Sequence, residues 1–216
     1  MNLKMIFEGM EMGSFFNPDG SVMRALSKIA DLAILNIMWL ICSIPVITMG
    51  AATTALYYVT IKMAKNQEGY LVRVFFKAFK DNFKKSTIVW MLFLAAGLVL
   101  GADFYIMCHW ESNLRYPMLV MIIMAGLVLL FLALYVFVLI GTFENKVAEY
   151  LKNAFFISIR HLPYSILLVF ILFLQLYACI FMLVNITYLP LLLLFGMSSF
   201  AYAMSFLYVK ILERYM

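Results

Sequence analysis

The sequence predicts an all-α fold: a polytopic transmembrane helix bundle of about six spans, forming one integral membrane domain over residues 1–216. Two features predict it. The chain is 66% hydrophobic and 12% charged, with a mean hydropathy of +1.00, where soluble domains carry roughly 25% charged residues. Its apolar runs are long: Leu114–Leu134 holds one charge, Arg115, and Leu162–Val209 holds none. The second feature is that fifteen of the sixteen Lys and Arg residues fall on one side once those runs are threaded through a membrane.

Residues 1–28 form a polar N-terminal segment. Lys4, Glu8, Glu11, Asp19 and Arg24 leave no room there for the apolar stretch of a cleavable signal peptide. About 20 apolar residues cross a bilayer as a helix, which places spans at about 29–45, 47–63, 87–108, 117–141, 163–184 and 187–209. The second is short and rich in small residues, so a re-entrant hairpin with 47–63 as a half-buried arm is the alternative. Basic residues number three before span one, seven between spans two and three, three after span four and two at the C-terminus; Arg115 stands alone opposite. Positive residues stay inside, so both termini are expected in the cytoplasm. The same rule accounts for the net charge of +5, and no nucleic-acid partner is implied.

Two cytoplasmic connections, about 70–85 and 146–160, read as interfacial helices. At 100° per residue, Leu71, Val72, Val74, Phe75, Ala78, Phe79 and Phe83 share one arc, while Arg73, Lys77, Lys80 and Lys84 share the opposite one. A basic amphipathic helix of this kind lies on the inner leaflet, so Arg73, Lys77, Lys80, Lys84 and, from the second segment, Arg160 are candidate residues for lipid or partner docking. The segments also align at an offset of 76: Ala78 with Ala154, Phe79 with Phe155, Lys84 with Arg160. Each precedes a pair of spans, so the implied unit is an amphipathic helix plus a transmembrane hairpin.

The most distinctive stretch runs from Ile44 to Tyr58. Pro45 ends the first helix, since its predecessor is pushed out of the α region, and Thr48 is placed to cap the next one. Gly50 with Thr54, and Ala51 with Ala55, allow close helix approach. An anion site or a pathway at this helix N-terminus is the functional reading; a tight packing elbow is the preferred one. Asp31 sits near the inner end of span one, within reach of Lys28 on the same face. Asn36 and Gln175 lie deeper and serve either helix packing or solute contact. Asp103 lies near His109, Trp110 and Glu111, which read as an outer interface belt because no second His faces them for a metal. Cys42, Cys108 and Cys179 fit no metal or disulfide spacing. No catalytic motif and no cofactor signature is present, so no enzyme activity and no cofactor is expected.

The first 90 residues resemble the YesL family of bacterial integral membrane proteins, a domain of unknown function. The resemblance is carried by Phe16-Asn-Pro-Asp, Arg24, Asp31-Leu-Ala-Ile-Leu-Asn-Ile-Met-Trp, the elbow from Ser43 through Tyr58, and Phe75-Phe-Lys-Ala-Phe-Lys-Asp-Asn-Phe. It implies a multi-pass protein of the bacterial cytoplasmic membrane with an accessory role in carbohydrate uptake or sensing, beside ABC importers and sensor kinases. Asn153-Ala-Phe and Arg160-His-Leu-Pro are more faintly similar to the loop by which ABC permeases dock on their ATPase. The expected function is therefore a non-catalytic accessory or regulatory membrane protein; the alternative is a stand-alone transporter or channel for a small solute. Expected partners are membrane lipids, ABC importer components or a sensor kinase, and a second copy of the chain.

Overall fold

The computed structural model describes residues 21–67, 69–110 and 114–215. The N-terminal stretch through residue 20, with Lys4 and Phe16-Asn-Pro-Asp, lies outside the described residues, as does Glu111. The described residues are helical, with no strand among them: α1 (Ser21–Ser43), α2 (Met49–Ala64), α3 (Leu71–His109), α4 (Arg115–Thr142), α5 (Val147–Arg160), α6 (Leu162–Val184), α7 (Leu189–Phe195) and α8 (Ser198–Leu212). Single 3-10 turns at Val46–Thr48 and Ile186–Tyr188 lead into α2 and α7.

The all-α expectation holds and the chain is a membrane protein. Four helices are long and apolar enough to cross a bilayer: α1 from Val22, α3, α4 and α6. The pair α7 and α8, bent by 40°, makes a fifth if it crosses as one span. The expected second span, α2, has 16 residues, about 24 Å of helix against a hydrocarbon core of roughly 30 Å.

One element differs clearly from expectation. The interfacial helix at 70–85 and the span at 87–108 are a single helix, α3, of 39 residues, about 58 Å long. No Gly or Pro lies between Leu71 and Trp90 to break it. The second unit does break: Pro163 stands in the first turn of α6, and α5 stops at Arg160. Helix α5 matches the expected 146–160 segment, with Glu149, Asn153 and Arg160 exposed. The aligned alanines of the two units, Ala78 and Ala154, are both buried.

The core sits toward one end of the bundle. There α2 is buried nearly all round, packed by α3, α8, α4 and α1. A helix enclosed on every side has no polar face to show, and its small residues let the neighbours close in. Toward the other end, α3, α4 and α6 carry exposed apolar side chains such as Leu98, Ile106, Val120, Met124, Phe173 and Tyr177. That is a lipid-facing skin.

The register of α2 against α3 fixes the height of the elbow. The Trp90 indole N–H donates to the Val46 carbonyl at 2.7 Å, and the Thr54 and Ser86 hydroxyls bond at 2.9 Å. From Trp90 to the end of α3 at His109 is about 28 Å of helix. Phe137, whose ring centroid is 6.1 Å from that of Trp90, lies about 33 Å from the start of α4 at Arg115. The elbow therefore lies about one hydrocarbon thickness away from the 109–115 end.

Candidate functional site

The polar side chains singled out in the sequence are spread through the bundle, and most of them join helices. Asn36, buried on α1, reaches the break between α7 and α8. Its Nδ2 donates to the Leu193 carbonyl at 2.7 Å and the Leu192 carbonyl at 3.2 Å. Its Oδ1 accepts from the Met197 and Ser198 N–H groups at 2.8 and 3.1 Å. Leu193 C=O and Met197 N–H are the pair an unbroken helix would join, so the Asn36 amide is inserted into the backbone ladder. This answers the need of a broken helix in lipid, where freed backbone groups find no water. Gln175, buried on α6, donates to the Met197 sulfur at the same break. Gly196 occupies the bend, where a Cβ would stand 2.6 Å from the Leu192 carbonyl oxygen.

The elbow is built for close packing. A Cβ on Gly50 would stand 2.5 Å from the Trp90 Cβ and 2.8 Å from the Ser86 carbonyl oxygen, so only glycine fits between α2 and α3. Pro45 opens the 3-10 turn in extended conformation, and α1 ends at Ser43 as its position dictates. Thr48 departs from the expected role. It holds the N-cap position of α2 but makes no cap bond there; its hydroxyl instead turns back to the Cys42 carbonyl at 2.6 Å and the Pro45 carbonyl at 2.8 Å. The hydroxyl thus closes the C-terminal end of α1. Ile44, Val46 and Ile47 are exposed at the tip; an apolar tip of this kind suits lipid.

Asp31 is half-buried on α1, and Lys28, one turn earlier, donates to Asn66 Oδ1 at 2.9 Å. Asp103 is exposed on the C-terminal half of α3, and His109 bonds the Tyr105 carbonyl. No group of three metal-ligating side chains occurs among the described residues.

On the N-terminal half of α3, Phe75 and Ala78 are buried while Val72, Phe76 and Phe83 are exposed. The expected apolar arc thus divides into a buried seam and an outward stripe. Arg73, Lys77, Lys80 and Lys84 are all exposed beside that stripe. Arg160 places its guanidinium 5.9 Å from the Tyr215 ring centre and helps line a cavity of about 330 Å³ between α4 and α5. A larger cavity of about 450 Å³ opens between α2, the first half of α3 and the end of α4. Tyr58, Lys62, Lys77, Asn82 and Lys85 line it, with Asp81 and Glu144. Sequence reasoning passed over Tyr58, Lys62, Lys85 and Glu144, because they are distant in sequence and only the packing of α2, α3 and the end of α4 unites them.

Comparison with known proteins follows these elements. Residues 32–104, from α1 through most of α3, match the family described as "Protein of unknown function, DUF624". The chain is 33% identical over 132 residues to "Uncharacterized protein YesL" of Bacillus subtilis (strain 168). That alignment covers 59% of this chain and 61% of the relative, so less than two thirds of the relative is spanned. No solved structure matches the chain. The family match covers the elbow, the glycine contact and the basic half of α3, and over these elements the chain is similar to the DUF624 family and to YesL.

Proposed function

We propose that this chain is a non-catalytic accessory or regulatory membrane protein serving carbohydrate uptake or sensing. One observation supports the accessory part: the deep polar side chains hold helices to one another. Asn36 bonds the α7–α8 break, Thr54 bonds Ser86, and Thr60 bonds Ser205 at 2.7 Å. The second reading, a transporter or channel for a small solute, needs Asp31, Asn36, Thr54 and Gln175 around one cavity. Asn36 and Gln175 do meet at Met197, but the cavity beside that break is lined by apolar residues such as Cys179, Leu192 and Phe195, and Thr54 faces Ser86. The carbohydrate part rests on the family resemblance of the elbow and the Phe/Lys helix alone.

We further propose the bacterial cytoplasmic membrane as the location, with both termini cytoplasmic, on the asymmetry of Lys and Arg. In this placement α3, α4, α6 and the α7–α8 pair cross. The α1–α2 hairpin enters from the cytoplasmic side and turns back near the inner leaflet. The register supports this: an elbow at the outer face would push residues 91–109, apolar and largely exposed, out into water. It would also carry Lys77, Lys80 and Lys84 into the hydrocarbon, where each costs about 2.5 to 3.5 kcal/mol. The exposed Val72, Phe76 and Phe83 then meet lipid beside the basic row.

The cytoplasmic face formed by α3 and α5 is the proposed docking surface for an ABC importer component or a sensor kinase. Crosslinking in native membranes tests it. Exchanging Arg73 for Lys, and Lys77, Lys80 and Lys84 for Arg, keeps the attraction to lipid but changes hydrogen-bond geometry. A partner of either class that survives this exchange but is lost on changing Asp81 and Asn82 to Ala supports docking through the polar edge. Recovery of no such partner overturns the accessory reading.

A further inference from the structure

We infer that the cavity between α2, α3 and the end of α4 binds a phosphate-bearing anion. Three lysines from two helices converge on it: Lys62 of α2, and Lys77 and Lys85 of α3. Lys62 and Lys85 are half-buried. Their ammonium groups rest over aromatic rings, Lys62 4.6 Å from the centre of Tyr58 and Lys85 5.8 Å from the centre of Tyr150. No ion pair within the described residues joins Lys62, Lys77 or Lys85 to a carboxylate, although Asp81 and Glu144 line the same cavity. Both of those carboxylates belong to exposed residues. The sheltered part of the site is thus cationic, and the acids belong to its exposed part.

A half-buried ammonium with no carboxylate in direct contact is costly, and here two of them border an open space of about 450 Å³, the size of a small-molecule site. Asn82 adds a donor: one of its amide hydrogens serves the Ala78 carbonyl at 3.0 Å and the other is free for a ligand. Tyr58 supplies an apolar wall. Point-charge lysines with a neutral donor suit phosphate oxygens. The site stands between about one and a half and three and a half turns below Trp90 on α3, at the level proposed above for the inner headgroups, where basic pockets between helices hold phospholipid heads. The ligand is then the phosphate of an anionic lipid or of a soluble phosphate ester. The lipid source rests on the membrane placement proposed above; the soluble source does not.

The full chain, purified in a neutral detergent, is titrated with glycerol 3-phosphate against sodium chloride at matched ionic strength, following thermal unfolding. In parallel, protein from nanodiscs of phosphatidylglycerol or of phosphatidylcholine is examined by native mass spectrometry for retained lipid. A shift in the first arm identifies a soluble ester; preferential retention of phosphatidylglycerol in the second identifies a headgroup. In whichever arm binds, Lys62→Met with Lys85→Met weakens binding roughly 30-fold, about five-fold for each lysine. The corresponding Arg pair retains it, Lys210→Met leaves it unchanged, and Asp81→Asn with Glu144→Gln tightens it. If the double Met variant fails to elute as a folded species, Lys77→Met, at an exposed position, is read instead and weakens binding about five-fold. Binding in neither arm, or wild-type binding by the Met variants, overturns the site. Cysteine labelling of the elbow reports separately on the membrane placement.

Discussion

Replacing Asn36 by Leu removes an amide of nearly the same size and leaves an apolar side chain facing the α7–α8 break. Four backbone groups lose a partner, but the Leu192 carbonyl keeps the Gly196 N–H at 2.9 Å. Three are orphaned: Leu193 C=O, Met197 N–H and Ser198 N–H. An unsatisfied buried group costs about 1 to 3 kcal/mol. Interhelical hydrogen bonds inside membranes measure lower, averaging about 0.6 and reaching about 1.7 kcal/mol, because the unfolded segment also finds partners. Three groups at about 0.6 to 1.7 kcal/mol each give a loss of roughly 2 to 5 kcal/mol. Asn36→Asp separates the two halves of the interaction: a carboxylate accepts from Met197 and Ser198 but cannot donate to Leu193, and it brings a charge into the bundle. It is expected to be at least as destabilising as Leu. The assay is reversible unfolding in mixed micelles by sodium dodecyl sulfate titration, with proteolysis near Gly196 as a local readout. An Asn36→Leu protein as stable as wild type to within about 0.5 kcal/mol, with the break still protected, would refute the ladder-insertion account.

Two further outcomes follow from the packing. Gly50→Ala forces α2 and α3 apart, because its Cβ would overlap Trp90 and the Ser86 backbone; a loss of about 1 to 3 kcal/mol is expected, and Gly50→Leu is expected to abolish the folded monodisperse species. Gly97→Ala, where a Cβ meets nothing within 4 Å, is the control and is expected to gain slightly in stability. At the α5–α6 junction, burial and then the Arg214 and Arg160 charges hold the His161 imidazole below its ordinary value of 6.5. The folded state thus favours neutral histidine: its stability is full above about pH 6.5 and declines as pH falls, since the unfolded chain takes up the proton first. Thermal unfolding at pH 7.5 and 5.5 checks this, with His161→Gln expected to flatten the difference.

How much of this was legible in the sequence varies by element. Long apolar runs and the low charged fraction were enough for an all-helical membrane protein, because both follow from composition alone. Pro45 marked the end of α1 for a local steric reason, and Gly50 marked a close approach without naming its partner. The continuity of α3 was missed because a change in surface chemistry near Lys85 was read as a change of element; the backbone there contains only helix-tolerant residues. The break between α7 and α8 was missed within the span at 187–209, since Gly196 alone does not announce a break and Asn36 lies about 160 positions away. The cavity with Lys62, Lys77 and Lys85 was likewise invisible before α2 and α3 were paired. Thr48 shows the limit of local rules: its residue type suits an N-cap, but the carbonyls of Cys42 in the last turn of α1 and of Pro45 just beyond it compete for its single hydroxyl proton and win.

The central claim is that the α1–α2 hairpin is re-entrant from the cytoplasmic side, so that the packed core and its basic face lie toward the cytoplasm. The most direct measurement is labelling of single cysteines in a background lacking Cys42, Cys108 and Cys179, using an impermeant maleimide on intact cells. Trp110→Cys is expected to label from outside, and Gln67→Cys only after the membrane is opened. Val46→Cys, at the elbow tip, is expected to stay unlabelled from outside. Labelling of Val46→Cys from outside at the rate of Trp110→Cys would contradict the account and restore a hairpin that crosses the membrane in full.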